Sequence, residues 1–242
     1  MIITVGSVRG APGVTSWSLL LAAAWPGDVD RVVLEADPDG GVMGARYGLG
    51  VEPGVVSLLA AARRSVGEVP VSEHGRRCGD VWVVPGPETA EQARGVWGSG
   101  ADALAATLAA DARLWIVDAG RLHASSPVFG LAAASALVVL VSGGRDEDLV
   151  QLPARVAAFA APTAVLINGR CSHDTGELVA FAGAATVWRV DSVDDLPVVA
   201  GAVLAPGRSR RSWLWRQAVD VAAAAAQLAV IGRPAEQMEV DA

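Results

Sequence analysis

The chain has 242 residues, of which 52% are hydrophobic, with a mean hydropathy of +0.39. That length suits one large α/β unit, and that apolar content excludes a mainly disordered chain. The net charge of −7 speaks against nucleic acid as the main partner, and no apolar run reaches the about 20 strongly apolar residues of a membrane-spanning helix.

Stretches 131–141 and 221–231 are the most apolar, but they are short and made mostly of small residues. The N-terminus enters a strand-like run with no basic region before it, so no signal peptide is expected. Cys78 and Cys171 lie far apart without a C-x-x-C pair. They read as reduced thiols of a cytoplasmic protein, one that a partner could recruit to the membrane or nucleoid. All 19 basic residues are arginine, so no lysine can stand in for another.

In chain order, residues 2–5 form an apolar run of strand length, followed by a Gly-rich turn and a helical stretch over 16–25. Further strands are predicted at 32–34, 81–84, 114–117, 137–141, 164–167 and 186–190. Helices are predicted at 55–63, 101–110, 146–159, 175–181 and 213–230. Short β-rich runs alternating with helices indicate βα units. The expected fold class is α/β: a doubly wound, mainly parallel sheet of about seven or eight strands with helices on both faces. Residues 1–231 read as one domain and 232–242, with Pro and acids, as a flexible tail.

The first strand runs into Arg9-Gly10-Ala11-Pro12-Gly13-Val14-Thr15-Ser16. A Gly-rich turn between a strand and a helix aims backbone N–H groups, and the positive end of the helix dipole, at an anion. Gly10 and Gly13 let the backbone approach a phosphate closely. Thr15 offers a hydroxyl for Mg²⁺, and Ser16 is expected to cap the helix. A tight turn without a ligand is the plain alternative.

This segment resembles the deviant Walker A loop of the MinD/ParA ATPases, approximately K-G-G-x-G-K-T-T. In that register Arg9 stands at the early signature lysine, which in the family reaches across a sandwich dimer, so the resemblance gives Arg9 a catalytic and ligand-binding role. Gly10, Ala11, Pro12 and Gly13 form the loop, Val14 replaces the P-loop lysine, and Thr15 falls at the Mg²⁺ hydroxyl. Arginine can still bind phosphate bidentately. Val14 removes a charge that would stabilise phosphoryl transfer, so slow or absent hydrolysis is expected.

Three later segments extend the resemblance, in the family's order. Glu35-Ala36-Asp37-Pro38-Asp39-Gly40-Gly41 resembles the family's D-x-D-P-x-G-G switch, which makes Asp37 the candidate water-orienting and metal-linked acid. A turn sequence alone would read the same way. The strand 114–117 ends in Asp118-Ala119-Gly120, which resembles a Walker B and makes Asp118 a candidate Mg²⁺ acid. Asn168, at the end of 164–167, matches the asparagine that contacts adenine in the family. Asp191 resembles a later family contact but lacks the expected preceding proline.

The resemblance implies ATP or ADP with Mg²⁺ as cofactor, a homodimer, and a protein partner in cell division, partitioning or envelope machinery. The alternative is a pseudo-ATPase scaffold that does not use nucleotide. The stretch 208–216 holds four Arg and two Trp and offers a DNA or membrane surface, but a solvated helix face is the favoured reading.

Overall fold

Each central strand splits its side chains between two apolar layers. On Ile2–Ser7 (β1), Ile2 joins one buried cluster while Ile3 and Val5 join the other. On Leu114–Arg121 (β5), Trp115 and Val117 face the first cluster and Leu114 and Ile116 the second. A strand covered on both faces reads as a continuous apolar run, which is why these runs are easy to find in the sequence. The computed structural model describes residues 1–10, 12–64, 69–98, 100–190, 200–201 and 212–231. Ala11, Asp191, residues 208–211 and the expected tail 232–242 lie outside them.

The remaining strands are Arg31–Glu35 (β2), Arg76–Cys78 (β3), Val81–Val84 (β4), Leu137–Ser142 (β6), Thr163–Asn168 (β7) and Thr186–Val190 (β8). They form one eight-stranded sheet in the order β3-β4-β2-β5-β1-β6-β7-β8, parallel except that β3 runs antiparallel to β4. The chain steps one way from β1 to β2 and the other way from β5 to β6, so the strand ends beside β1 and β5 flank a switch point. Open α/β sheets bind ligands at such a crevice.

Val14–Ala24 (α1) and Trp213–Ile231 (α11) cover one face of the sheet. Helix α1 is buried around most of its circumference, with Trp17, Leu19, Leu20, Leu21 and Ala22 fully inaccessible, because it lies between the sheet and α11. The other face carries Val55–Ala62 (α3), Ala90–Trp97 (α5), Ala101–Ala110 (α6), Phe129–Ala133 (α7) and Thr175–Ala182 (α10). Short helices Met43–Tyr47 (α2) and Val71–His74 (α4) follow β2 and precede β3. Among the described residues no helix is long and apolar enough to cross a membrane.

The predicted helix over 146–159 is two short helices, Asp146–Leu149 (α8) and Leu152–Val156 (α9). Pro153 explains the division: it has no N–H to donate and excludes a helical turn before it, so it sits at the start of α9. The strand expected over 114–117 runs on to Arg121, which places Asp118 inside the sheet.

Candidate functional site

The Gly-rich loop is shaped by positive-φ glycines and one hydroxyl. Gly10 has φ 66° and Gly13 φ 96°, conformations that a side chain would strain. Ser7 Oγ donates to the Gly10 carbonyl at 2.9 Å, pulling the loop back over the end of β1. Gly13, not Ser16, caps α1: no side chain caps the helix, the Trp17 N–H bonds the Gly13 carbonyl, and Ser16 is buried. The expected Ser16 cap is thus incorrect, because the left-handed glycine starts the helix before the serine is reached. The first amides of α1 remain aimed along the helix axis, as an anion site requires.

Val14 is only 5% exposed and packs in the same apolar cluster as Trp17. The lysine position is therefore filled by core. Arg9 is exposed, and its Nη1 donates to the Glu147 carbonyl at 3.1 Å. Asn168 is held against the loop: its Nδ2 donates to the Pro12 carbonyl at 2.5 Å, and its Oδ1 accepts from Trp17 Nε1 at 3.3 Å. In this arrangement Asn168 braces the loop.

Three carboxylates converge: Glu35 on β2, Asp118 on β5 and Asp37 just beyond the end of β2. Glu35 and Asp118 are directly paired in register across β2 and β5, and Val5 of β1 pairs with Asp118 from the other side. Glu35 is buried and accepts three backbone N–H bonds: Val42 at 2.6 Å, Met43 at 2.8 Å and Gly86 at 2.9 Å. It organises the segment after β2 and ties it to the end of β4. Burial raises its pKa, and those three N–H groups oppose the rise.

Asp37 accepts the Asp39 N–H at 2.8 Å and lies against Gly120, where a Cβ would come within 2.1 Å of its carboxyl carbon. Its pKa is raised, chiefly by burial, while the Asp39 N–H and Arg121 pull it down.

Asp118 is fully buried. Its Oδ1 accepts from Gly120 N–H at 3.2 Å, whereas Oδ2 has no hydrogen-bond partner among the described residues. Burial, then the Glu35 charge, push its pKa up to about 7, and the Thr15 hydroxyl beside it favours the ionised form. An orphaned buried carboxylate oxygen next to a hydroxyl fits a hard cation, since Mg²⁺ takes one or two carboxylates and completes its shell with water and phosphate oxygens. Among the described residues no set of three or more acidic, His or Cys side chains is arranged to chelate a metal by itself. Mg²⁺ here would depend on Thr15, Asp118 and Asp37 together with ligand oxygens, and when bound it would neutralise phosphate charge.

These groups share one cleft of about 590 Å³, whose wall includes Gly10, Pro12, Gly13, Thr15, Asp37 and Asn168. Gly10, Pro12, Gly13, Val14, Thr15, Ser16, Asp37 and Asn168 thus meet at one place; Arg9 turns toward Glu147, and Asp118 lies buried beneath. The same wall carries Arg46 and Arg121, which sequence reasoning missed. Neither lies in a recognised motif. The signal was available, though: Arg121 directly follows Asp118-Ala119-Gly120, and Arg46 follows the switch turn on the next short helix.

No protein-family model matches the chain, and no curated protein matches it in sequence. Solved structures do match in shape. A ParA family ATPase from Chlorobium tepidum TLS superposes with a TM-score of 0.70 at 15% identity, covering 92% of this chain and 98% of that one. The cell division ATPase MinD from Pyrococcus furiosus gives 0.69 at 16% identity, over 94% and 98%. The septum site-determining protein MinD from Pyrococcus horikoshii OT3, complexed with Mg-ADP, gives 0.68 at 13% identity, over 96% and 98%. The chain therefore has the MinD/ParA-type P-loop NTPase fold.

Proposed function

We infer that the protein is a nucleotide-dependent dimerisation switch of the MinD/ParA kind, which positions or regulates a partner in cell division, partitioning or envelope machinery. ATP or ADP with Mg²⁺ is the proposed ligand, and hydrolysis is weak or absent. The observation that carries this reading is convergence. The Gly-rich loop with Thr15, the segment after β2 with Asp37, and Gly120 near the end of β5 come from three separate parts of the chain and meet above the buried Asp118 at one switch point. The Mg-ADP complex of the similarly folded P. horikoshii MinD supports the choice of ligand.

Weak turnover follows from Val14. A preorganised cation at the transferring phosphate is worth a few kcal/mol of transition-state stabilisation, or about 10²- to 10³-fold in rate. Calorimetric titration with Mg·ATP and Mg·ADP tests binding, phosphate release tests turnover, and mass measurement tests dimerisation. A protein that binds neither nucleotide lacks the proposed switch; one that hydrolyses ATP rapidly is not degenerate.

The pseudo-ATPase scaffold is favoured by a specific contact set: Asn168, the adenine reader implied by the resemblance, is engaged with Pro12 and Trp17. On that reading the fold and dimer surface persist and the cleft takes no nucleotide. The same titration separates the two.

A further inference from the structure

A polyphosphate brings several negative charges to a wall that is already acidic. Asp37 and Asp39 line the cleft, and Glu35 and Asp118 are buried behind it. An anion gains nothing from a field of this sign unless cations are supplied. The loop position that would supply one is Val14, and the chain contains no lysine. Any replacement must be an arginine.

The arginines near the site fall into two groups. Arg9 donates to the Glu147 carbonyl, Arg145 stands 3.6 Å from the Glu147 carboxylate, and Arg94 is ion-paired with Asp39. Arg46 and Arg121 instead line the cleft itself, both exposed, with Gly10, Gly13 and Thr15 on the same wall. Their backbones are anchored and their side chains are exposed, with the Arg46 guanidinium beside the Tyr47 hydroxyl. Arg46 rides on α2, whose entry is fixed by the Val42 and Met43 N–H bonds to Glu35. Arg121 ends β5, in register with Ser7, the residue that pins the loop. Its charge is close enough to Asp37 to be felt by that carboxyl.

Building on the nucleotide-binding reading above, we propose that Arg46 and Arg121 jointly replace the missing P-loop cation, gripping the polyphosphate of a nucleotide from the α2 side and the β5 side of the cleft. Guanidinium groups suit this task, because each can pair two non-bridging oxygens at once. The replacement also changes what binding does. A lysine in the loop moves nothing when it meets phosphate, whereas Arg46 ties α2, and with it the segment that begins at Asp37, to the ligand.

The test is calorimetric titration of the full chain with Mg·ATP and with inorganic tripolyphosphate. Wild type is compared with Arg46→Ala, Arg121→Ala, the double variant, Arg46→Lys and Arg121→Lys. Each alanine variant should bind both probes about tenfold more weakly, with an unchanged thermal melt, and each lysine variant should lose clearly less. Adding Val14→Lys to the double alanine variant should recover most of the lost affinity, since the charge returns at the family's own position. Alanine variants that bind Mg·ATP within about twofold of wild type overturn the proposal and leave the loop reading intact. Wild-type protein that binds neither probe overturns both.

Discussion

At the scale of single residues, the site is defined by one charge that is absent and one that is buried. Val14 leaves the loop with amides but no ammonium. Val14→Lys should raise Mg·ATP affinity about tenfold in titration calorimetry, the gain expected from a charge-assisted phosphate contact. The longer side chain can leave the apolar cluster along its own stem, so the fold should survive. Unchanged affinity both here and when Val14→Lys is added to the Arg46→Ala, Arg121→Ala double variant would show that the loop is not a phosphate site. Asp118 makes the opposite case. Folding raises its pKa from an ordinary 3.8 to about 7. For a carboxyl shifted upward, the associated stability is fully present below pH 3.8 and lost as pH rises through about 7. The loss is on the order of 4 kcal/mol at most, from about 1.4 kcal/mol per unit. In Mg²⁺-free buffer, Asp118→Asn should therefore melt higher than wild type at pH 8, and the gap should narrow as pH falls toward 5 and close near 3.8. Equal melting curves at pH 8 would mean that the carboxylate is solvated or paired in solution.

At the scale of elements, the acids are placed by glycines and backbone amides more than by other side chains. Gly120 is the clearest case, with φ 55° and the Asp37 carboxyl where its Cβ would stand. Gly120→Ala should push Asp37 out of the cleft, weakening Mg·ATP binding tenfold or more. The strained backbone should also cost about 1–2 kcal/mol, read as a drop of a few degrees in the thermal midpoint. Wild-type affinity in this variant would show that Asp37 takes no part. The same logic explains what could be read from the sequence. The central strands were legible because burial on both faces makes them uninterrupted apolar runs. Asp37 could be singled out because the turn after a parallel strand faces the crevice, whereas Asp118, read as a strand-end acid, lies within β5 beneath the cleft. The edge strand β3 was not legible: Arg76-Arg77-Cys78 is three residues long and charged, as an exposed edge tends to be, and carries no apolar pattern. The break between α8 and α9 was signalled by Pro153, which excludes a helical turn before it. Helix α5 carried a readable start in Thr89, whose Oγ1 accepts from the Gln92 N–H at 3.4 Å. The brace from Asn168 to Pro12 and Trp17 could not be foreseen, because it joins residues more than 150 positions apart through side-chain orientation alone.

At the scale of the whole molecule, the proposed switch requires two copies to close over their clefts, and charge makes that closure conditional. Each chain carries −7, so two copies repel through solution until something offsets the charge. A nucleotide bound on arginines and Mg²⁺ adds contacts at the joint, and Arg9 stands at the loop's exposed edge, where such a joint would form. Its present bond to the Glu147 carbonyl is a single exposed hydrogen bond, worth about 1 kcal/mol, which a phosphate of the facing copy would readily outcompete. Light scattering on the 24.7 kDa chain should therefore show monomer without nucleotide and a doubled mass with Mg²⁺ and a non-hydrolysable ATP analogue. Arg9→Ala should remove the doubling while leaving nucleotide affinity within a few-fold of wild type. Salt supplies an independent check, because it screens repulsion between like-charged chains and also screens arginine–phosphate attraction. With nucleotide saturating, the affinity of the monomer for nucleotide should weaken from 50 to 200 mM salt, while dimerisation, in which relieved repulsion opposes the weakened Arg9–phosphate contact, should change less. A dimer that forms equally well without nucleotide, or in the Arg9→Ala variant, would place the joint on another surface and leave Arg9 a loop residue of its own chain.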